Sequence, residues 1–228
     1  MALSWPFGVA WTAWHYLWRI LPLHRREMPG TPGSDLPPAL PPDISEDRLQ
    51  TPADGSGPLF HRIYTARIRG SGLGPAELIG RLAADPNTVS PSRLARFRKT
   101  NGDEGGMKVG DEYVVHMPGP WNGPIRVVAV EPCGFRFATL DGHLEAGQIE
   151  WRAWHDDDLH FVVESWSRGG DRASAILHDR LGMAKEVQLY MWTSILQRVA
   201  REVGGRLVEG VDVETRRVPP EVFDREHA

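Results

Sequence analysis

The sequence predicts an α+β fold in which a curved antiparallel sheet of about six to seven strands wraps around a long C-terminal helix. Three observations predict it. Segments rich in β-branched and aromatic residues follow one another between residues 108 and 168. Only short turns separate them, so neighbouring strands pair antiparallel, because parallel pairing needs long crossovers. A long helical pattern then covers residues 171–203.

The strands are predicted from the alternation of apolar and polar residues. FHRIYTARIR (60–69) alternates in this way and gives the first strand. RFRKT (96–100) is a further candidate. Short turns join five more candidate strands, which span residues 108–117, 123–131, 134–140, 146–155 and 158–168.

Two short helices are expected after the first strand. One begins at Pro75, which suits a first helical turn, and continues to about Ala84; the other begins at Ser90-Pro91. In the long helix Asp171 is a plausible N-cap, and Gly204-Gly205 stops it. Its inward stripe comprises Leu177, Leu181, Ala184, Gln188, Met191, Ile195 and Val199, widened by Trp192, Leu196 and Val203. This order of elements is that of a helix-grip fold, in which a cavity can remain between sheet and helix.

Four segments divide the chain. Residues 1–28 form a Trp-rich amphipathic helical extension, and residues 29–58 a Pro-rich linker or irregular wrap with eight of the nineteen prolines. The helix-grip domain covers 59–205. The C-terminal tail, 206–228, alternates weakly and supplies a candidate edge strand.

The Trp-rich extension admits two interpretations. Its apolar run, residues 5–23, is too short and interrupted for a membrane span and lacks a signal-peptide cleavage site. As a helix it places large apolar residues on one face. That face packs either on the protein's own domain or a second copy, or on a membrane surface. The residues on it are Phe7, Trp11, Trp14, Trp18 and Leu21.

Composition excludes several classes of partner. The chain has 228 residues, is 41% hydrophobic and carries a net charge of −4, which predicts no general affinity for nucleic acid. Cys133 is the single cysteine, so no internal disulfide forms, and a reducing, cytoplasmic setting is expected. No Cys/His spacing typical of zinc occurs, and we expect neither a metal nor a cofactor.

Four longer motifs carry a family resemblance. VGDEYVVHMPGPW (109–121), FRFATLDGHLEAGQIEW (135–151), ESWSR (164–168) and MAKEVQLYMWTSILQRVA (183–200) resemble the bacterial branch of domain-of-unknown-function family 1990. WPFGVAWTAW at the N-terminus resembles a recurring front extension of that branch. The family is similar to the START-like helix-grip superfamily. That resemblance implies binding of lipids, sterols or polyketides, or cyclase or hydrolase activity, and it implies no particular catalytic residue.

Aromatic and apolar residues are the candidate ligand contacts. Trp151 and Trp154 point to opposite faces of their strand, so one of the two faces inward unless a bulge intervenes. Trp192 lies near the inward stripe of the long helix, where it lines a pocket or fills the space. The full set of candidates is Tyr113, Val115, Trp121, Phe137, Trp151, Phe161, Met191, Trp192 and Ile195.

Polar candidates are fewer. His143 and Glu145 of GHLEAG, with Glu164, could act as acid and base if they face a cavity; the alternative is a structured turn whose His and Glu bond locally. The run His155 to His160, HDDDLH, is interpreted as a hairpin turn rather than a metal site. Gly70–Gly74 lacks dinucleotide-binding spacing and is a plain turn.

Three functions therefore remain open from the sequence. The first is a module that binds an apolar or amphipathic small molecule between sheet and helix. The second is a cyclase- or hydrolase-type enzyme that uses polar residues near the GHLEAG turn. The third is a structural or membrane-peripheral protein that docks on a membrane or a protein partner through residues 5–23.

Overall fold

The computed structural model describes residues 22–117, 122–170 and 181–226. Within these ranges nine strands form one sheet. The strands are β1 (Leu23–Pro29), β2 (Ser56–Arg69), β3 (Arg96–Asn101), β4 (Glu112–His116), β5 (Asn122–Glu131), β6 (Gly134–Thr139), β7 (Glu145–His155), β8 (Leu159–Gly169) and β9 (Arg206–Val218). The helices are α1 (Pro32–Asp35), α2 (Pro75–Ala84), α3 (Leu181–Glu202) and α4 (Pro220–Glu226).

The strand order is β1-β9-β2-β8-β7-β6-β5-β4-β3. Consecutive strands from β3 to β8 pair antiparallel, as their short connections predict, and the fold class expected from the sequence is confirmed. The predicted count of six to seven strands was too low. All seven strands from β2 to β8 were anticipated. Strand β9 comes from the tail, where a candidate edge strand was predicted, and β1 comes from the end of the predicted helical extension.

Strand β9 is an interior strand, which corrects its prediction as an edge strand. It lies between β1, to which it is parallel, and β2, to which it is antiparallel. Its alternation is weak because the pairing with β2 shifts between Ala66 and Ile68. Glu209 and Gly210 have positive φ angles of 62° and 94° near this shift. A Cβ at position 210 would overlap the carbonyl oxygen of Pro22.

Strand β1 corrects the end of the predicted helical extension. Residues 1–21, including the predicted Trp-rich face, lie outside the described residues. Leu23–Pro29 is extended and pairs through its backbone with β9. Most of its side chains are exposed, so the segment carries no apolar period from which a strand could be predicted.

The Pro-rich segment is a wrap rather than a free linker. Leu36 packs against the cluster of Leu59, Trp166, Val218 and Phe223. Ile44 and Leu49 are buried with Val128, Ala138 and Leu140. The ordered structure therefore begins well before the predicted boundary at Leu59. This wrap, together with α4, covers part of the face of the sheet that points away from α3, hereafter the outer face.

The main core lies between α3 and the opposite, inner face. The predicted long helix is confirmed over Leu181–Glu202, and residues 171–180 lie outside the described residues. Trp151 is completely buried on the inner face, while Trp154 is exposed, as their alternation predicts. The helix and the residue that follows it contribute Leu189, Met191, Trp192, Ile195, Leu196, Val199, Ala200 and Val203 to this core.

Two shorter elements differ from expectation. Helix α2 is confirmed, but the second short helix is reduced to a 3-10 turn at Pro86–Thr88 and a hydrogen-bonded turn after Pro91. Strand β4 begins at Glu112 rather than 108. The Asp111 carboxylate before it accepts hydrogen bonds from the Lys108 backbone N–H and the Lys99 ammonium, and these hold a turn. Within the described ranges, no helix combines the length and apolarity needed to cross a membrane.

Candidate functional site

Aromatic rings occupy the centre of the inner face. Trp151 of β7 is their hub, with ring centroids 5.3 Å from Phe135, 6.0 Å from Phe161 and 6.3 Å from Trp192 of α3. Edge-to-face arrangements dominate, as the quadrupoles of aromatic rings favour. This aromatic group comprises Phe97, Tyr113, Phe135, Phe137, Trp151, Phe161 and Trp192.

The predicted ligand contacts converge on this region. Eight of the nine are buried in the main core; Trp121 lies outside the described residues. Phe97 and Phe135 belong to the group but were not among the candidates. Phe135 could have been found, because it is two residues from Phe137 on one strand and so shares its face.

The inner face changes from apolar to polar within one row of side chains. Across β9, β2, β8 and β7, one row of paired residues reads Val213, Tyr64, Val163 and Trp151. The next row, two residues along each strand, reads Thr215, Arg62, Ser165 and Ile149. Arg62 and Ser165 are buried although they are polar. An apolar and a polar surface therefore adjoin beneath the same helix.

Helix α3 contacts the polar part of the inner face through Gln188. Its side-chain amide donates a 2.7 Å hydrogen bond to Glu145 Oε2, at the start of β7. The other carboxylate oxygen, Oε1, lies 3.9 Å from Arg62 Nη1. The Arg62 guanidinium also lies over the Phe60 ring, 4.5 Å from its centroid. We call Arg62, Glu145, Ser165, Ser167 and Gln188 the polar border.

His143 serves the turn before β7. Its Nδ1 accepts a hydrogen bond from the Glu145 backbone N–H, and Gln50 of the wrap donates to the His143 carbonyl oxygen. Burial lowers the pKa of His143, because it disfavours the imidazolium. The neutral ring packs against Gly123, where a Cβ would come within 2.8 Å of Nε2. These contacts are those expected of a structured turn.

Glu164 belongs to a buried network on the outer face. His61 Nε2 lies 2.6 Å from Glu164 Oε1, and His61 Nδ1 lies 2.7 Å from Asp35 Oδ1. Arg152 and Arg216 pair with the two carboxylates, at 2.6 Å from Glu164 and 3.2 Å from Asp35. The network joins the N-terminal wrap to β2, β7, β8 and β9.

Burial by itself would lower the pKa of His61, but hydrogen bonds to Glu164 and Asp35 outweigh it and raise that pKa. Burial would likewise raise the pKa of Asp35. Hydrogen bonds from His61, the Thr31 backbone N–H and Arg216 lower that pKa on balance.

The three candidate catalytic residues do not meet. Glu145 lies on the inner face, His143 in a turn with its Nδ1 already bonded, and Glu164 on the outer face. Catalysis by a cooperating acid and base requires both groups to reach one substrate. Of the three, Glu145 alone lies on the same face of the sheet as the aromatic group.

The HDDDLH segment forms the hairpin turn between β7 and β8. Asp158 accepts hydrogen bonds from the Arg69 guanidinium at 3.2 Å, and Asp156 lies 3.0 Å from His160 Nε2. The Asp156 carboxylate also accepts the Asp158 backbone N–H, as expected for an Asp that shapes a turn.

A long helix packed over the inner face of an antiparallel sheet defines the helix-grip class of proteins. In this chain the aromatic group and the polar border lie between helix and sheet. The chain belongs to the family described as "Domain of unknown function (DUF1990)", whose model matches residues 75–201. No curated protein matches the chain.

Three solved structures show how distant the structural likenesses are. Ginseng major latex-like protein 151 from Panax ginseng is 16% identical, with 63% of this chain and 97% of that chain covered and a TM-score of 0.46. The di-domain ARO/CYC StfQ from the steffimycin biosynthetic pathway is 9% identical, with 64% and 51% covered and a TM-score of 0.49. KanY is 9% identical, with 66% and 99% covered and a TM-score of 0.46. Likenesses of this order carry no argument about function.

Proposed function

We propose that this protein binds an apolar or amphipathic small molecule between α3 and the inner face of the sheet. The observation that carries the proposal is the abrupt boundary between the aromatic group and the polar border. Ligand sites typically combine a mainly apolar lining with a few placed polar groups. The predicted contacts Trp151, Trp192 and Phe137 supply the apolar lining, and the polar border supplies the groups that orient the ligand.

Polar groups that are buried on the inner face have an energetic cost where they lack hydrogen bonds. A buried hydroxyl or charge that lacks a hydrogen bond is destabilising by about 1–3 kcal/mol or more. Ser165 and Ser167 are buried on the inner face, and beside them Arg62 Nε is buried without a hydrogen-bond partner among the described residues. A bound molecule with a polar end would provide acceptors at this row.

No specific observation favours the enzymatic alternative. A cyclase or hydrolase on this scaffold would have to use Glu145 without His143 and Glu164, since the structure separates the three. The membrane-docking alternative depends on residues 5–23, which contain the predicted Trp face and lie almost wholly outside the described residues. Binding between sheet and helix is therefore the function that the described residues support best.

Quenching by a brominated alcohol tests the proposal. Bromine quenches tryptophan fluorescence on contact, so 11-bromoundecanol should produce saturable quenching of the wild-type protein. Replacing the inner pair in the variant Trp151→Phe/Trp192→Phe should remove most of that saturable quenching. The aromatic volume is largely kept, so the alcohol should still bind.

The outer-face pair provides the matched control. In Trp154→Phe/Trp166→Phe the saturable quenching should persist, because these two rings lie on the other side of the sheet. Absence of saturable quenching in the wild type would refute the proposal. Quenching that disappears with the outer pair would place the ligand on the wrong face and refute it equally.

A further inference from the structure

The geometry of the polar border points to the chemical class of the ligand. We infer that the ligand is a monoanionic amphipathic acid, whose carboxylate binds the Arg62 guanidinium while its apolar part contacts the aromatic group. This inference rests on the proposed function and makes it more specific. Its basis is Arg62, whose side chain is 9% exposed and whose charge faces the inside of the protein.

Arg62 has unused hydrogen-bonding capacity. A guanidinium carries five N–H donors, and none of those of Arg62 is hydrogen-bonded to a residue within the described ranges. Its Nε is buried without a partner among the described residues, and the ion pair that it makes with one of them, Glu145, is 3.9 Å long. That distance exceeds the 2.7–2.9 Å of a charge-assisted hydrogen bond.

Among the other buried arginines, Arg126 and Arg168 are well satisfied and Arg136 is satisfied in part. Arg126 donates to Glu112 and to the carbonyl oxygens of Ser45 and Asp47. Arg168 donates to two backbone carbonyls and pairs with Asp224. Arg136 donates to the Ala39 carbonyl oxygen through one terminal nitrogen, while its Nε lacks a partner among the described residues, as does that of Arg62. All three lie on the outer face and donate to backbone carbonyls or carboxylates there, whereas Arg62 lies on the inner face and has no hydrogen bond to a described residue.

The charges around Arg62 favour a single negative charge on the ligand. Glu145 lies close by, and Gln188 donates to the carboxylate oxygen that does not face Arg62. A carboxylate matches the planar fork of a guanidinium and accepts two hydrogen bonds from it. A dianionic phosphate would be repelled by Glu145 with one guanidinium to balance it. Ser165, paired with Arg62 across the strands, can donate a further hydrogen bond.

Competition between matched lipids tests the inference. The competitors are dodecanoic acid, dodecanol and dodecyl phosphate. Each is titrated into full-length protein that has bound 11-bromoundecanol, and the loss of saturable quenching measures competition. In the wild type, dodecanoic acid should compete at a concentration at least about tenfold lower than dodecanol, because charged hydrogen bonds contribute on that scale. Dodecyl phosphate should be weaker than the acid.

Three variants locate the effect. In Arg62→Met, dodecanoic acid and dodecanol should compete at about equal concentrations, while binding of the alcohol is kept. Arg62→Lys, which retains the charge but not the fork, should keep part of the preference and remains informative if the methionine variant does not fold. Arg67→Met makes the same charge change on the outer side of the same strand and should leave the preference unchanged.

The failures of the two proposals are distinguishable. If 11-bromoundecanol does not bind the wild type, the proposed function and this inference fail together. If it binds but the acid has no advantage, or the advantage survives in both Arg62 variants, the carboxylate site alone is refuted. A phosphate that competes better than the acid, in an Arg62-dependent manner, would overturn the assignment of a monoanion.

Discussion

On the outer face the His61 imidazole lies between two carboxylates, 2.7 Å from Asp35 and 2.6 Å from Glu164. All three side chains are buried, and the imidazole stacks on Trp166 with a centroid distance of 5.1 Å. The charged imidazolium donates to both carboxylates, which is why the pKa of His61 is raised and that of Asp35 lowered. One protonated side chain thus fastens the N-terminal wrap to the sheet.

The raised pKa of His61 predicts a pH-dependent stability. Its contribution is fully present below the unfolded-state pKa, about 6.5, and is lost as pH rises through the higher folded-state pKa. The lowered pKa of Asp35 adds stability that is lost as pH falls through its folded-state value. We therefore expect His61→Gln to reduce the free energy of unfolding by about 3–5 kcal/mol at pH 6 and by less at higher pH.

Urea unfolding from pH 6 to 9 measures this difference. His160→Gln is the control. His160 lies on the outer face of the sheet, like Glu164 on the same strand, but it contacts the exposed Asp156. A constant difference between wild type and His61→Gln across this range would contradict the assigned charge state.

At the scale of elements, the close approach of β7 and β8 depends on Gly147. A Cβ at this position would overlap the Trp166 carbonyl oxygen and lie 2.9 Å from the Ser167 Cα. The Gly147 backbone also exchanges hydrogen bonds with the Thr139 hydroxyl of β6. The close packing of the two strands therefore explains the last glycine of GHLEAG, which pairs directly with Ser167.

Two glycine-to-alanine changes should have opposite effects. Gly147→Ala should lower the free energy of unfolding by about 1–3 kcal/mol, because the added methyl group has no space and the strands must separate. Gly80→Ala, in the exposed interior of α2 with nothing within 4 Å, should raise it by about 1 kcal/mol. Chemical denaturation of both variants provides the comparison. A neutral or stabilising Gly147→Ala would show that the two strands are not packed as described.

For the whole molecule, alternation and helical periodicity were sufficient to predict β2 to β8, α2 and α3. They could not reveal β1, whose side chains are largely exposed, or the interior position of β9, whose period is broken at Glu209-Gly210. The wrap was hidden by its prolines, since a few residues such as Leu36 and Ile44 anchor it through contacts distant in sequence. Tertiary packing, rather than local propensity, orders these segments.

The same limit applies to the site. Alternation placed Trp151, Phe137 and Phe161 on one face, and the structure brings them together. Arg62 was missed, although it is two residues from Tyr64 and so lies on the same apolar face of its strand. A charged residue in the inward register was the available signal. The folded structure was needed to show that its guanidinium makes no hydrogen bond to a described residue.

The central claim, that an amphipathic acid binds between α3 and the inner face, is tested most directly by resonances of the two groups assigned to it. In ¹⁵N-labelled protein, dodecanoic acid should shift the Trp151 indole N–H and the Arg62 Nε–H with one common saturation curve. The Trp154 indole N–H should stay unchanged. Trp151→Phe and Arg62→Lys assign the two signals. Saturation that moves neither signal, or that moves the Trp154 signal instead, would contradict the account.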